Sequence, residues 1–343
     1  MTFTETILDW YVNYGRELPW RRTKDPYAIW LSEIILQQTR IAQGTAYWER
    51  FMARFPDVQS LAEASEDEVL RLWEGLGYYS RARNLHAAAR QIVAQGAFPA
   101  SLDGIKALKG IGDYTAAAIG SIAFGIPAAV VDGNVYRVLS RHFGIDIPVG
   151  TTVAKKEFTA LAQSLLPEDR PGDFNQGMMD FGALQCTPQS PDCLTCPLCE
   201  SCDALRTGRT GSLPVKKAGP AVRDRHFVYI YLRCDGMTAI RRRDAGDIWQ
   251  GLWEPYLLEY TGENPGLPEW TASGSLTLIR TGVRHQLTHR TLHTDFYLFL
   301  SDTRPPLPDA FRWIPESDLD RYAKPRLFEI LLAELDKQNS PAI

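Results

Sequence analysis

The chain has 343 residues, of which 45% are hydrophobic and 11% aromatic, a composition typical of a globular protein with two or three domains. No apolar run approaches the length of a membrane span and the N-terminus lacks a signal-peptide pattern, so we expect a cytosolic protein without a membrane partner. The net charge of -4 argues against nonspecific coating of nucleic acid, although a local basic groove is compatible with it.

The first part of the chain, residues 1–206, carries apolar residues at helical spacing almost throughout. The predicted helices cover 5–14, 27–43, 45–55, 66–74, 81–95, 115–124, 134–142, 153–166 and 174–184. Short Gly-containing loops such as EGLGYY, KGIGDY and VDGN separate them. This pattern predicts an all-α domain.

From residue 207 the pattern changes. The segment 207–224 is rich in Gly, Pro and basic residues and has no apolar period, which predicts a linker. The runs HFVYIYLR and MTAIRRR, joined by a CDG turn, are typical of a β-hairpin, and TLHTDFYLFL predicts a further strand. RLFEILLAELDKQ predicts a closing helix, so we expect an α+β domain over 225–338.

Five of the six cysteines lie in the stretch CTPQSPDCLTCPLCESC, residues 186–202. Because disulfides are rare in the cytosol, clustered cysteines predict ligands of a metal or a cluster. The four that fit a C-x6-C-x2-C-x5-C spacing are Cys186, Cys193, Cys196 and Cys202. Four thiols in one compact loop favour a four-iron cluster, and zinc is the alternative. Cys199 is left over, and Cys234 is predicted to be inert.

This spacing, directly after the helix DFNQGMMDFGALQ, resembles the [4Fe-4S] loop of the endonuclease III and MutY families of DNA glycosylases. The resemblance covers nearly the whole chain and implies a helix-hairpin-helix glycosylase domain over 1–206. Within that domain it implies a six-helix module at about 25–130 and an iron-sulfur module from 1–24 and 131–206. It also implies that the C-terminal α+β domain is MutT (Nudix)-like.

The segment LKGIGDYTAAAIGSIAFG places two glycines around one apolar residue, before a helix of small residues. Gly110 and Gly112 allow a tight turn with positive φ, and the following helix N-terminus suits a DNA phosphate. Lys109 and Lys106 could add positive charge. The residues alone are equally compatible with a plain helix-turn-helix, whereas the cysteine loop makes the segment similar to a helix-hairpin-helix element.

The second residue after this hairpin separates two reaction types. Enzymes that resemble endonuclease III carry a lysine there, as Schiff-base nucleophile for lyase chemistry. Here the residue is Tyr114, so the resemblance implies a monofunctional glycosylase. A bifunctional glycosylase/lyase is the alternative.

Asp132, in VDGNV, lies where an apolar run meets a helix. Aspartate before Gly-Asn is a good turn and N-cap residue, and the pattern alone favours that structural role. VDGN is also similar to the family motif that carries the catalytic aspartate. The two roles are compatible, because a helix N-terminus favours an ionised carboxylate.

Glu33 lies in the apolar helical run AIWLSEIILQQT, with Ile29, Trp30, Leu36 and Gln37 as its helical neighbours. Desolvation would raise the pKa of this carboxyl and make it a proton donor at neutral pH. The alternative is a glutamate that faces solvent from a buried helix. SEIILQQT is similar to the MutY segment that carries the general acid.

The resemblance therefore implies excision of adenine opposite 8-oxoguanine from duplex DNA by a monomer. Glu33 would protonate the extruded adenine, and Asp132 would stabilise an oxocarbenium-like sugar. A non-catalytic iron-sulfur DNA-binding protein is the alternative from a different class. It is disfavoured because binding alone does not need two carboxylates in apolar settings.

Further site residues are implied by position. The resemblance places around the adenine and its sugar Trp20, Arg21, Gln176, Tyr114 and Asn134. It places against the opposite base Gln38, Thr39, Leu76 and Tyr78. Arg81 would reach a phosphate. Taken alone, each of these residues has an ordinary structural explanation in the core, at the surface or in a helix cap.

In the C-terminal domain, DIWQGLWEPYLLEY resembles the strand start of a MutT-like domain. A Nudix hydrolase needs a glutamate-rich helix shortly afterwards, and 251–282 has none, which predicts recognition rather than hydrolysis. RHQLTHRTLH is similar to the lesion-reading loop of the family, with Leu287 in place of an aromatic residue, followed by Thr288 and His289. Simple solvation at a strand edge is the alternative for the last two.

Overall fold

The computed structural model describes residues 1–217, 223–262 and 266–339. Two compact units make up the chain. The first unit comprises Met1–Glu63 and Asn84–Ala218, and the second comprises Ala64–Arg83 and Gly219–Ile343. Within the described ranges, no helix is both long enough and apolar enough to cross a membrane.

Helices form nearly all of the first unit and contribute a few elements to the second. In chain order the α-helices are α1 (Phe3–Tyr14), α2 (Pro26–Ile35), α3 (Ile41–Arg54), α4 (Val58–Glu63), α5 (Glu66–Leu72), α6 (Ser80–Gln95), α7 (Leu102–Lys106), α8 (Asp113–Phe124), α9 (Gly133–Phe143), α10 (Thr152–Leu165), α11 (Pro171–Leu184), α12 (Asp203–Arg206) and α13 (Arg326–Asn339). Side-chain caps such as Asp25 before α2 and Thr151 before α10 define where several of them begin.

Two apolar clusters contribute to the core of the first unit. Apolar faces of α1, α9, α10 and α11 meet around Trp10, Phe158 and Phe181. A second cluster joins α2 to α8 through Ile29 and Ile122. The all-α prediction for this region is confirmed by these helices.

The single predicted helix over 27–43 is wrong, because α2 ends at Ile35 and α3 starts at Ile41. Between them Gln38 has φ 58°, a left-handed conformation that a continuous helix cannot contain. The apolar period runs across the break because both helices bury residues, among them Ile35 of α2 and Phe51 of α3. A Cβ on Gly44 of α3 would lie 2.6 Å from Leu36 Cδ2, so the two segments are in close contact.

A seven-stranded mixed sheet forms the centre of the second unit. Its strands are β1 (Arg223–Cys234), β2 (Met237–Arg242), β3 (Trp253–Glu254), β4 (Tyr256–Tyr260), β5 (Ser275–Gln286), β6 (Arg290–Leu300) and β7 (Phe311–Pro315). The strand order is β3-β2-β1-β6-β5, with β4 on β1 and β7 on β2. Only the β1–β6 pair is parallel among the paired strands of the described residues. Helix α13 packs on one face through Leu327, Phe328 and Leu331.

The predicted β1–β2 hairpin is confirmed. Cys234 pairs with Met237, so the turn has two residues. Asp235 and Gly236 both have positive φ, at 49° and 69°, as a tight primed turn requires. Cys234 is buried in the strand, as expected of an inert thiol.

One segment of the predicted all-α domain does not group with the rest of that domain. Residues 64–83 group with the second unit rather than with the other helices. Glu66 Oε1 lies 2.7 Å from Arg242 Nη2, and Glu74 Oε1 accepts a hydrogen bond from Lys324 N at 3.0 Å. Charged side chains at the ends of short helices gave no sequence signal of this attachment.

The predicted linker is ordered where the structure describes it. Leu213 is buried, and its carbonyl accepts a hydrogen bond from Arg141 Nε at 3.0 Å. Val149 N donates to Val215 O at 2.8 Å. Residues 218–222 lie outside the described residues, and strand β1 begins at Arg223. Backbone hydrogen bonds hold this segment, which explains why it needs no apolar period.

Candidate active site

A cavity of about 880 Å³ opens in the first unit and is formed by α2, α8, α9, α11 and the loops beside them. The residues predicted for catalysis, the base pocket and the hairpin that line it are Trp20, Arg21, Glu33, Gly110, Gly112, Tyr114, Asp132, Asn134 and Gln176. Gln38 and Thr39, which were predicted to contact the opposite base, line it as well. Segments as far apart in sequence as α2 and α11 therefore contribute to one site.

Glu33 lies on α2 and faces this cavity. Burial of its carboxyl raises the pKa to about 7, the largest influence on this group. The Arg21 charge lowers the pKa, the Asp132 charge raises it, and a hydrogen bond with Tyr114 lowers it. A substantial fraction of this carboxyl is thus protonated at neutral pH, as the sequence led us to expect.

Tyr114 lies in the first turn of α8 beside the same carboxyl. Its pKa is raised well above the usual value, first by burial and then by the charges of Glu33 and Asp132. Its hydroxyl also lies 3.5 Å from Met179 Sδ. The phenol therefore stays neutral.

Asp132 is the N-cap of α9 and also lines the cavity. Its Oδ1 accepts hydrogen bonds from Asn134 N at 2.9 Å and Val135 N at 2.8 Å, and Asn134 Nδ2 donates to its Oδ2 at 2.8 Å. Burial raises the pKa of Asp132, whereas these three hydrogen bonds and the charge of Arg137 lower it. The capping role favoured by the pattern alone coexists with a position in the cavity.

Arg137 ties the N-terminus of α9 to the end of α11, and the sequence analysis did not identify it. Its Nη2 donates to Asn134 Oδ1 at 2.7 Å and to Gly182 O at 2.6 Å, and its Nε donates to Cys186 O at 2.7 Å. An arginine three residues after Asn134 on a helix was the available signal. Asn134 is thereby held in place on both of its amide atoms.

The base-pocket residues Trp20 and Gln176 are both buried. The Trp20 ring lies edge-on to Trp48, with centroids 5.8 Å apart. Gln176 Nε2 donates to Gly172 O at 3.3 Å within α11, which leaves its carbonyl oxygen toward other partners. Trp20 thus has the core position that the pattern alone favoured, whereas Gln176 lies inside α11 and is not the helix-end cap that the pattern alone favoured; both also line the cavity.

Arg21 is held by a residue that sequence analysis missed. Asp180 accepts hydrogen bonds from Arg21 Nη1 at 2.7 Å and from Arg21 Nη2 at 2.9 Å, and it also accepts from Arg16. Asp180 follows Gln176 by four residues and so shares its helix face. An aspartate within the apolar run GMMDFG was the signal that could have identified it.

The glycine hairpin joins α7 to α8. Gly110 has φ 79°, and a Cβ there would lie 2.6 Å from Asn84 Cβ, so only glycine fits. Gly112 is extended, with φ -100°, so the expectation of positive φ is wrong for that residue. Lys109 is exposed, whereas Lys106 Nζ pairs with Asp113 Oδ1 at 2.7 Å.

A second cavity, of about 770 Å³, lies within the second unit. The residues predicted for lesion recognition that line it are Leu76, Tyr78, Leu287, Thr288 and His289. The hydroxyls of Tyr78 and Thr288 are hydrogen-bonded to each other. Tyr78 is 48% exposed and has φ 47°, a strained conformation for an aromatic residue. Gln38 and Thr39, predicted for the same task, line the first cavity instead.

Arg81 lies under the Tyr78 loop rather than extending outward. Its guanidinium is 5.0 Å from the Trp73 ring centroid and 5.7 Å from that of Tyr78. Its Nη2 donates to Leu76 O at 3.4 Å and Gly77 O at 3.3 Å. Burial lowers its pKa to about 10. In this structure Arg81 supports the loop, and its predicted contact with a phosphate stays a prediction.

The cysteine loop follows α11. A small cavity of about 30 Å³ is lined by Cys186, Cys193, Cys196, Cys199 and Cys202. Arg141 Nη1 lies 3.4 Å from Cys186 Sγ and donates to Thr187 O at 2.7 Å. Across the described part of the chain, no group of three or more His, Cys, Asp or Glu side chains is placed to hold a metal ion.

Fold and site together define a class of protein. Residues 31–166 match the family model described as "HhH-GPD superfamily base excision DNA repair protein", and residues 227–334 match the "NUDIX domain" model. A thermostable thymine-DNA glycosylase of known structure is 31% identical, with a TM-score of 0.55, over 60% of this chain and 95% of that chain. The helical unit is thus a helix-hairpin-helix repair fold, with a NUDIX-type domain after it.

Two relatives indicate to which family of DNA glycosylases the chain belongs. "Adenine DNA glycosylase" of Buchnera aphidicola subsp. Schizaphis graminum is 32% identical over 299 residues, which are 85% of each protein. The human protein of the same name is 45% identical over 213 residues, which are 59% of this chain and 39% of the human one. The chain belongs to the adenine DNA glycosylase family.

Proposed function

We propose that this protein excises adenine opposite 8-oxoguanine in duplex DNA by hydrolysing the N-glycosidic bond, and that it acts as a monomer. The observation that carries the proposal is the pairing of Glu33 and Asp132 in one cavity, with the Glu33 pKa raised to about 7. Family membership supports the same substrate, since the relatives are named for adenine.

The two carboxyl groups have different tasks. Protonated Glu33 delivers its proton to the extruded purine, which makes adenine a neutral leaving group, and then activates the attacking water. Asp132 stabilises the positive charge that develops on the sugar, because its hydrogen bonds from Asn134 and Val135 favour the ionised carboxylate. Tyr114 cannot supply the amine of a lyase, so the reaction ends at base release.

The second cavity would read the lesion on the opposite strand. Tyr78 and Thr288 present hydroxyl groups there, and Leu287 supplies apolar surface. An oxidised purine differs from guanine in the donors and acceptors of its five-membered ring. Hydroxyl groups that can donate or accept are suited to distinguish the two bases.

A [4Fe-4S] cluster is the cofactor that we propose for the cysteine loop, with Cys186, Cys193, Cys196 and Cys202 as ligands. The support is that all four cysteines line one small cavity of about 30 Å³. The iron atoms of such a cluster are bound by four cysteine thiolates of one loop, and these bonds stabilise the conformation of the loop. Purified protein should contain about four iron and four labile sulfide per chain. Stoichiometric zinc instead would contradict the assignment.

The reaction is tested with an adenine:8-oxoguanine duplex whose adenine strand is labelled. After incubation, half of each sample is treated with alkali and both halves are separated on a gel. We expect strand cleavage only after alkali. Cleavage without alkali would indicate a lyase, and intact strand in both lanes would indicate a binding protein without catalysis.

A further inference from the structure

Asp180 is a completely buried carboxylate on α11, and two arginines share it. Its side chain is 0% exposed. It accepts hydrogen bonds from the Arg16 backbone N–H at 2.8 Å, from Arg16 Nε at 2.9 Å, and from Arg16 Nη2. Both Nη atoms of Arg21 also donate to it, at 2.7 and 2.9 Å. A carboxylate with this many charge-assisted bonds has one geometry.

Arg21 is fixed from several sides by these contacts. Its Nη1 also donates to Arg16 O at 2.9 Å, and its guanidinium carbon lies 5.5 Å from the Tyr11 ring centroid. Its side chain is only 11% exposed, so the cation is largely removed from water. Burial alone would lower the pKa of Arg21, and the bonds and charge of Asp180 outweigh it.

The Asp180 carboxyl group is ionised at neutral pH. Burial raises the pKa of Asp180, but the hydrogen bonds and charges of Arg21 and Arg16 more than reverse that effect, so its pKa lies below the ordinary value. Asp180 therefore stays ionised and does not exchange protons near neutral pH. It acts as a constant negative charge behind Arg21.

We propose that Asp180 is a positioning residue that holds the Arg21 guanidinium at the cavity wall beside Glu33. This role rests on the proposed function, in which Glu33 is the acid. Arg21 lies in a short turn, Pro19–Arg21, that cannot by itself direct a long side chain. A fixed carboxylate on α11 directs it, and the cation then acts on the acid from a defined place.

The effect on the acid has a definite sign. The charged and titratable groups that act on Glu33 are Arg21 from the short turn, Asp132 from the start of α9 and Tyr114 from α8. Arg21 supplies the positive charge among these groups and opposes the rise in pKa that burial causes. If Arg21 is released into the water of the cavity, the pKa of Glu33 rises, and the acid stays protonated to higher pH.

Asp180→Asn tests this role. The amide has one acceptor oxygen, its NH₂ group faces arginine donors, and two guanidinium groups are left without an anion between them. We therefore expect Arg21 to leave its place. In single-turnover base release, the alkaline limb of the pH profile should move up by about one unit in Asp180→Asn and in Arg21→Gln. The double variant should match Arg21→Gln, since Asp180 acts only through Arg21.

Two controls separate this effect from a loss of packing. Glu316→Gln breaks another ion pair, in which Arg233 Nε lies 2.9 Å from Glu316 Oε1 outside the cavity, and should not move the limb. Arg16→Gln leaves the Asp180–Arg21 pair in place and should not move it either. Arg16→Gln also keeps the proposal testable if Asp180→Asn fails to fold. If the alkaline limb shifts in Arg16→Gln as much as in Arg21→Gln, the positioning role of Asp180 is wrong.

The remaining outcomes are distinct. A limb that moves in Arg21→Gln but not in Asp180→Asn contradicts the role of Asp180 alone. Shifts that add in the double variant contradict action through Arg21. A wild-type enzyme without any alkaline limb contradicts the assignment of Glu33 as the acid, and the proposed mechanism with it.

Discussion

Two carboxyl groups, Glu254 in the second unit and Glu33 in the first, differ in the number of arginines that bond to them directly. Glu254, on β3 of the second unit, is completely buried and accepts hydrogen bonds from Arg243 Nη1 at 2.6 Å, Arg241 Nε at 3.1 Å and Tyr229 Oη at 3.0 Å. Glu33, in the first unit, has the phenol of Tyr114 and only the longer-range charge of Arg21. Direct bonds from two arginines and a tyrosine fix the Glu254 side chain in a structural role, whereas burial raises the pKa of Glu33 to about 7 and makes it a proton donor.

The same contrast occurs within the first unit. Asp180 has direct bonds from two arginines and a pKa below the ordinary value, and Glu33 has neither. Buried carboxyl groups alone are therefore a poor guide to catalysis. The number of cationic donors in direct contact distinguishes the group that reacts from the group that positions.

The largest effect on activity is expected when the proposed proton donor, Glu33, is replaced. Glu33→Gln should lower single-turnover base release by about 10²- to 10⁴-fold, because the proton donor is lost while the shape is kept. Duplex binding, measured by fluorescence anisotropy, should be retained. Glu157→Gln on the exposed side of α10 is the control. Unchanged release in Glu33→Gln would remove the basis of the proposed mechanism.

Replacing the structural carboxyl group, Glu254, should lower the stability of the fold instead of the activity. Glu254→Gln leaves Arg243 with Asp247 as its remaining anionic partner and weakens charge-assisted hydrogen bonds at a completely buried site, so we expect a loss of about 1–3 kcal/mol in the free energy of unfolding, measured with urea. Glu259→Gln, at a partly exposed pair in which Glu259 Oε2 lies 2.6 Å from Arg225 Nη2, should cost less than about 1 kcal/mol. Equal losses in the two variants would mean that burial does not separate these pairs.

The pH dependence sharpens the comparison further. Because the acid must be protonated, base release should fall about tenfold per pH unit above a pH of about 7, where Glu33 loses its proton. Its pKa is raised in the folded state, so its contribution to stability is present below the ordinary pKa and is lost as pH rises through about 7. A release rate that is flat from pH 6 to 9 would be the contrary result.

The smallest effect is expected in the second cavity. Thr288→Val should reduce the preference for 8-oxoguanine over guanine opposite adenine by about 3- to 10-fold, since one hydrogen bond of about 1 kcal/mol is lost. Competition between the two duplexes measures this preference. Thr277→Val, on an exposed part of β5, should leave it unchanged. An unaltered preference in Thr288→Val would indicate that its hydroxyl does not contact the lesion.

Local structure was predictable where one short segment carries the whole signal. The turn at Asp235 and Gly236, the cap at Asp132 and the glycine at Gly110 all depend on neighbouring residues, and the structure has each of them. The break at Gln38 was not predictable, because the apolar period of α2 continues into α3. Its cause is contact between two helices, which a local pattern does not contain.

The sequence by itself determined the residue types for chemistry: an isolated glutamate in an apolar helix, an aspartate at a helix start, a tyrosine in place of a lysine, and a loop of thiols. Tertiary structure alone decided which charges meet. It placed Asp180 behind Arg21, brought Arg21 to the cavity of Glu33, and joined Tyr78 to Thr288. The physical reason is that the pKa and position of a charged group depend on partners distant in sequence, which only the folded chain brings within reach.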